Sequence, residues 1–423
     1  MDGNGIRRYQ AILGGLFAAA CVTYLFVVHF TGIESEVVKI YLPYMDELMR
    51  GSIPDIEYPP FALVFMFIPR MFASTALGYE IAFVAEVFVF FMIGLAVAGK
   101  LAKRYYHSPR KVMLAYTVLM LLMLEFVVDR YDVFPMILTL LSLYFFVTKK
   151  YVWAFALLSI AMMTKLYPAV LFPIYLFPFI INRDWSNTLK CTGVFVLVAV
   201  LIVLPLFLLN SEAALHFMSY HMDRPLQIES TASSFIALGA VLGLTQTWVE
   251  FSFGSDNLMG PWSDAVVPYL TPLMLLAVIL IYAVHAHLLF GLRKNGQDNE
   301  NNRMVLLGGT VLLSVLAFII FGKVLSSQYL IWVIPFIVFM MVTSIDHASK
   351  LYIFILGVAA IILTQLNFAV NLGISGGGAG ITDAGMMIIL ARNIVMLVFF
   401  VYIAKASVES VKKRPWRTKP SEE

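Results

Sequence analysis

Uninterrupted apolar stretches of helix length dominate this chain, separated by short polar clusters. Runs at 11–30, 78–98, 112–128, 133–147, 153–164, 169–181, 189–209, 266–292, 304–321, 330–343, 351–370 and 386–404 carry few charges. A spanning helix needs about 20 apolar residues, so the runs predict about twelve membrane-crossing helices. Several are shorter than about 17 residues, which a bilayer tolerates where irregular backbone lines a protein cavity. The stretch 59–72 is apolar, short and opens on Pro59-Pro60, which predicts a re-entrant or tilted short helix. In 34–50, Val37, Ile40, Tyr41, Tyr44, Leu48 and Met49 recur at helical spacing among charged residues. That is the pattern of an external amphipathic helix lying on the membrane surface. The chain therefore reads as an all-α polytopic membrane protein, a single integral membrane domain over 1–423. Continuous apolar runs exclude an outer-membrane barrel, whose strands alternate.

Composition sharpens this. The chain is 61% hydrophobic and 13% charged, against about 25% charged in soluble domains. A net charge of +3 from 29 basic and 26 acidic residues is too balanced to suggest a nucleic-acid partner. Cys21 and Cys191 lie in separate apolar runs and suggest packing, neither a disulfide nor a metal pair.

Lys and Arg collect in short cytoplasmic loops. Clusters occur at Arg7 and Arg8, at Lys100, Lys103, Arg104, Arg110 and Lys111, at Lys149 and Lys150, at Arg183, at Arg293, Lys294 and Arg303, at Lys350, and from 405 to 419. They predict a plasma-membrane protein with both termini cytoplasmic. The extracytoplasmic loops are then 31–58, 129–132, 165–168, 210–264, 323–329 and 371–385. Two of these, 31–58 and 210–264, are long, as functional loops tend to be.

The polar chemistry gathers in those loops. In Asp55-Ile56-Glu57-Tyr58-Pro59-Pro60, alternation of an extended segment would aim Asp55 and Glu57 the same way, offering a general base; helix capping or hydration are the competing readings. Glu36 and Asp46 share the loop. Asp129-Arg130-Tyr131-Asp132 reads as an anion site or an internal ion pair, and Lys165 as an anion ligand or a snorkelling side chain. His221 to Ser230 packs His221, Asp223, Arg224, Gln227, Glu229 and Ser230 into one short stretch, suited to a hydroxyl-rich anionic ligand or to a solvated loop. Lys323 to Tyr329 adds another cation. Arg130, Lys165, Arg224 and Lys323 all depart from the basic-inside bias on one face, and a lipid phosphate would explain their convergence. The glycine-rich run 376–380 follows no strand and lacks a Lys-Ser/Thr partner, so it reads as a flexible loop. His285 and His287 point different ways on one helix and suggest interface residues.

Tyr41-x-x-Tyr44, the 51–60 stretch ending Glu57-Tyr58-Pro59-Pro60, Arg130-Tyr131-Asp132 with Pro135, Lys165-Leu166-Tyr167-Pro168, Arg224 to Ser230, and Lys323 to Tyr329 occur in one order. That order resembles glycosyltransferase family 87, from about Tyr41 to Arg392-Asn393. The resemblance implies a GT-C fold and a polyprenyl-phosphate-linked sugar donor, usually mannose. It also implies inverting transfer on the extracytoplasmic face to a glycan or glycolipid acceptor of the cell envelope, with an acidic residue of the first external loop as base. Val37 stands where the family carries aspartate, with Glu36 adjacent; Pro225 and Ser327 stand where Gly and Pro are common. The base is therefore sought among Asp55, Glu57 and Glu36. Arg130, Lys165, Arg224 and Lys323 would bind the donor phosphate, and Asp132, Tyr167, His221, Gln227, Glu229, Gln328 and Tyr329 the sugar or acceptor. No metal or other cofactor is required by this scheme. The competing class is a transporter or flippase of a lipid-linked or anionic substrate, which would place matched polar features toward both faces.

Overall fold

The computed structural model describes residues 3–372 and 383–412 apart from 33 and 107, so the run at 376–380 lies outside the described residues. In chain order, α1 (Gly3–Thr31) leads through a π-helical turn, Val37–Tyr41, into α2 (Leu42–Met49) and α3 (Ala62–Phe72). Then come α4 (Ala76–Tyr105), α5 (Pro109–Leu122), α6 (Leu124–Val128), α7 (Val133–Val147) and α8 (Tyr151–Thr164). A 3₁₀ turn, Tyr167–Val170, precedes α9 (Leu171–Ile181), α10 (Trp185–Leu209), α11 (Ser211–Asp223) and α12 (Thr231–Val241). The antiparallel hairpin β1 (Trp248–Ser252) and β2 (Ser255–Met259) follows, then α13 (Pro261–Lys294) and α14 (Glu300–Ile320). A second 3₁₀ turn, Ser327–Val333, leads into α15 (Ile334–Val342), α16 (His347–Leu372) and α17 (Asp383–Lys412).

Seven of the described helices are long and apolar enough to cross a membrane by length and composition: α1, α4, α10, α13, α14, α16 and α17. The protein is a multi-pass membrane protein. The remaining expected spans are shorter and mostly end in irregular turns. Helix α14 is central, with most of its apolar stretch buried, whereas α10 is peripheral, with almost all of its apolar stretch facing outward. Small residues let neighbours close in on the centre. A Cβ at Gly94 would collide with Tyr116 and Ile137, and one at Gly309 with Ser407.

Several predicted elements differ in detail. The run 112–128 is not one helix: it breaks at Met123, and Gln365 Nε2 donates to the Leu122 carbonyl, 2.9 Å, beside the break. The run 330–343 begins as a 3₁₀ turn, because Pro335 in the first turn of α15 has no N–H to offer an upstream carbonyl. The amphipathic segment is helical, but Val37, Tyr41 and Met45 are fully buried in the main core, so its apolar stripe faces the bundle. Most of 210–264 is regular structure. Asn210 caps α11 through the Glu212 and Ala213 N–H groups, and Ser230 caps α12 through Ser233.

Interrupted helices meet at one end of the bundle. The α6 to α7, α8 to α9 and α14 to α15 junctions, with the approach to α3, bring polar residues and freed backbone to common ground there.

Candidate active site

That ground encloses a cavity of about 620 Å³. Glu57, Tyr58, Pro59, Ile40 and Tyr44 line it from the first loop, and Phe126 and Arg130 from the α6 to α7 junction. Lys165 comes from the α8 to α9 junction, Tyr220, His221 and Arg224 from α11 and its end, and Gln227, Ile228 and Glu229 from the following segment. The hairpin contributes Phe251 and Phe253 to Asp256, the α15 approach Ser326 to Tyr329, and α16 Asn367 and Phe368.

The three candidate bases separate. The chain bends at Glu57 and Tyr58, so Asp55 is exposed and stays out of the lining while Glu57 faces the cavity. The expectation that both carboxylates point one way fails for this reason. Glu36 does not line the cavity either; its Oε2 is 3.0 Å from Arg130 Nη1. Glu57 stands beside Tyr220, whose hydroxyl donates to the Phe253 carbonyl at 2.5 Å. Burial, then the Glu57 charge, holds the Tyr220 phenol well above its usual range, so it stays a neutral donor.

Of the four cations, Arg130, Lys165 and Arg224 line the cavity. Arg224 donates from Nη2 to Ser255 Oγ at 2.9 Å, and its Nε has no partner among the described residues. Lys165 Nζ is 2.7 Å from Asp132 Oδ1. Lys323 lies outside the lining, where its Nζ donates to the Met222 carbonyl at 2.7 Å. Asp129, behind Arg130, is pushed up to about 7 by burial, with Arg130 opposing.

The expected sugar and acceptor ligands also divide. His221, Gln227, Glu229, Gln328 and Tyr329 line the cavity; Asp132 and Tyr167 do not. His221 is pushed down to about 4, first by burial and then by Arg224, so it is a neutral imidazole. Gln227 donates from Nε2 to Ser326 Oγ at 2.8 Å, while its Oε1 has no partner among the described residues. The backbone around it is stitched to the hairpin by Ile228 N to Asp256 O, 3.1 Å, and Leu258 N to Leu226 O, 2.8 Å. Glu229 Oε2 already accepts from Arg392 Nη1 at 2.6 Å and Ser327 Oγ at 2.8 Å. Tyr167 is stacked under Trp332 in the core.

Several members went unread in the sequence. The hairpin turns at Phe253 and Gly254, both at positive φ, the two-residue geometry that Asn-Gly usually signals; Phe-Gly hides it. Tyr220 in the lining and Trp332 behind it look in the sequence like core aromatics, whereas Tyr58 belongs to the Glu57-Tyr58-Pro59-Pro60 motif. Arg392 did carry a signal, an arginine inside an apolar run, which marks a site or a partner by default.

Among the described residues, no group of three or more His, Cys, Asp or Glu could hold a metal ion. The cavity offers three carboxylates, Glu57, Asp256 and a Glu229 already held by Arg392 and Ser327, together with three cations and amide and hydroxyl groups. Such a set can take a proton from a hydroxyl and neutralise an anion that leaves beside it.

Residues 57–318 match glycosyltransferase family 87. No curated protein matches the sequence. Among solved structures, ArnT from Cupriavidus metallidurans bound to undecaprenyl phosphate is similar, with a TM-score of 0.45 and 16% identity. That match covers 94% of this chain and 78% of ArnT.

Proposed function

Given that this chain belongs to glycosyltransferase family 87, we propose that it moves a sugar, mannose in the first instance, from a polyprenyl-phosphate donor to an acceptor hydroxyl on the extracytoplasmic face. The observation that carries this reading is the shared cavity of Glu57, Arg130, Lys165 and Arg224. The acceptor oxygen bonds to the anomeric carbon and gives its proton to Glu57 while the bond to the donor phosphate oxygen breaks on the opposite face of the sugar. Attack from the far side inverts the anomeric centre. Arg130, Lys165 and Arg224 stabilise the departing phosphate, the charge that grows in the transition state. His221, neutral, and Gln227, with its unpartnered Oε1, supply hydrogen bonds to sugar hydroxyls. The lipid tail stays in the bilayer, and a glycan or glycolipid acceptor enters the same cavity.

Transfer from polyprenyl-phosphate mannose, assayed in membranes, tests this. Glu57→Gln is expected to cost about 10²- to 10⁴-fold in rate, the usual share of a general base. Asp55→Asn should leave the rate within a few-fold, because the exposed Asp55 is outside the cavity. Full activity in Glu57→Gln would remove the base assignment, and transfer from a nucleotide sugar instead would remove the donor.

A further inference from the structure

Lys165 sits in an enclosure that binding a phosphate does not by itself require. Its ammonium is 2.7 Å from Asp132 Oδ1 and lies 4.7 Å from the Tyr131 ring, 5.2 Å from Trp332, 5.5 Å from Tyr329 and 5.6 Å from Tyr58. Asp132 is 1% exposed and does not line the cavity, so it does not reach a ligand there. Its Oδ1 also accepts the Trp332 indole N–H at 2.6 Å, while Oδ2 is sealed from solvent with no partner among the described residues. Trp332 is clamped in turn, stacked at 4.3 Å on Tyr167 and at 3.9 Å on Tyr329. A buried ion pair with an unsatisfied oxygen is a poor stability device, since apolar side chains of similar volume often serve as well or better. What the pair does is oppose the burial that drives an ammonium to shed its proton.

We propose that Asp132 and Trp332 are positioning residues for Lys165: Trp332 aims the carboxylate, and the carboxylate keeps the ammonium charged at the cavity wall to meet the phosphate of a polyprenyl-phosphate ligand. This rests on the donor reading above. The groups facing the ammonium are Asp132, Glu57, Arg130, His221 and the phenols of Tyr58, Tyr131 and Tyr329. Burial lowers the Lys165 pKa, Asp132 and then Glu57 raise it, and Arg130 lowers it again. Removing the carboxylate therefore lowers it further, and the ammonium is lost at a lower pH.

The test is binding of undecaprenyl phosphate to the full-length protein in detergent, titrated between about pH 6 and 11, a range that runs from well below an ordinary ammonium's pKa to just past it. This probe needs no knowledge of the sugar. In Asp132→Asn the alkaline loss of affinity is expected at least about one pH unit below wild type, about tenfold weaker binding at a fixed alkaline pH. Trp332→Phe keeps the ring and loses the indole donor, and its limb moves the same way by less; it reads the link if Asp132→Asn fails to fold. Asp132→Asn combined with Lys165→Arg should bring the limb back, because a guanidinium stays charged unaided. A folded Asp132→Asn protein with an unshifted limb, or no rescue by arginine, overturns the inference while leaving the donor reading intact. A wild-type protein that binds no undecaprenyl phosphate at any pH overturns both.

Discussion

Glu57, Asp55 and Glu36 carry the same chemical group within one loop, and their surroundings alone distinguish them. Asp55 is exposed, Glu36 is spent on Arg130, and Glu57 faces the cavity. The same logic applies to His221, which burial and then Arg224 push down to about 4. In the unfolded chain it titrates near 6.5. Between these values the unfolded state binds more protons, so stability falls as pH drops from about 6.5 toward 4. Thermal midpoints in detergent should show this decline, and His221→Gln should flatten it. An equal acid slope in the variant would place the loss in other groups.

The chain between α11 and α12 is joined to a distant helix by a few strong bonds. Arg392 on α17 reaches the Glu229 carboxylate at 2.6 Å and its carbonyl at 2.5 Å, and Asn393 donates to the Ser234 hydroxyl at 2.5 Å and to the Glu229 and Ser230 carbonyls at 3.2 Å. Arg392→Met should destabilise by about 3–5 kcal/mol, the cost of stranding one partner of a buried pair. Adding Glu229→Met should return part of the loss, read as a midpoint recovery; strictly additive losses would argue against the link. This joint marks where the sequence was readable and where it was not. The long helices α1, α4, α10, α13, α14, α16 and α17 correspond to expected runs, because bilayer crossing imposes a length and an apolar composition that any reader can see. Polar motifs in the short loops were visible for the complementary reason, being charged where charge is costly. Breaks inside apolar runs, such as Met123, leave no trace in hydropathy, and neither does the stack of Tyr167, Trp332 and Tyr329 that surrounds Asp132. The role of Asp132 depends on which neighbour it touches, a tertiary fact. The hairpin was hidden by its Phe-Gly turn and by the expectation of an irregular loop.

The basic clusters converge on one end of the bundle. Arg110 lies 5.5 Å from the Tyr9 ring, Lys350 3.9 Å from the Tyr106 ring, and Arg104 3.9 Å from Glu300. Arg293 donates to the Ile181 carbonyl beside Arg183, and Lys149 and Arg303 line one cavity of about 280 Å³. Helix α7 separates the two ends: its start follows Asp132 and its end precedes Lys149. Fifteen residues at about 1.5 Å each put roughly 22 Å between them. Glu57, Arg130, Lys165 and Arg224 are thus grouped apart from the clusters that basic-inside bias assigns to the cytoplasm. A transporter would be expected to show matched polar features toward both faces; here the cavity of about 620 Å³ with Glu57 and its three cations lies at one end, and the smaller one at the other is lined by Lys149, Arg303, Asp298 and Glu300. Sidedness is directly measurable. With Cys21 and Cys191, both buried, replaced by serine, single cysteines at exposed Met222 and exposed Lys149 should respond oppositely to a membrane-impermeant maleimide. Met222→Cys should label on intact cells, and Lys149→Cys after permeabilisation. The reverse pattern would put the cavity in the cytoplasm, where nucleotide sugars are made, and the case for a polyprenyl-phosphate donor would lose its topological half.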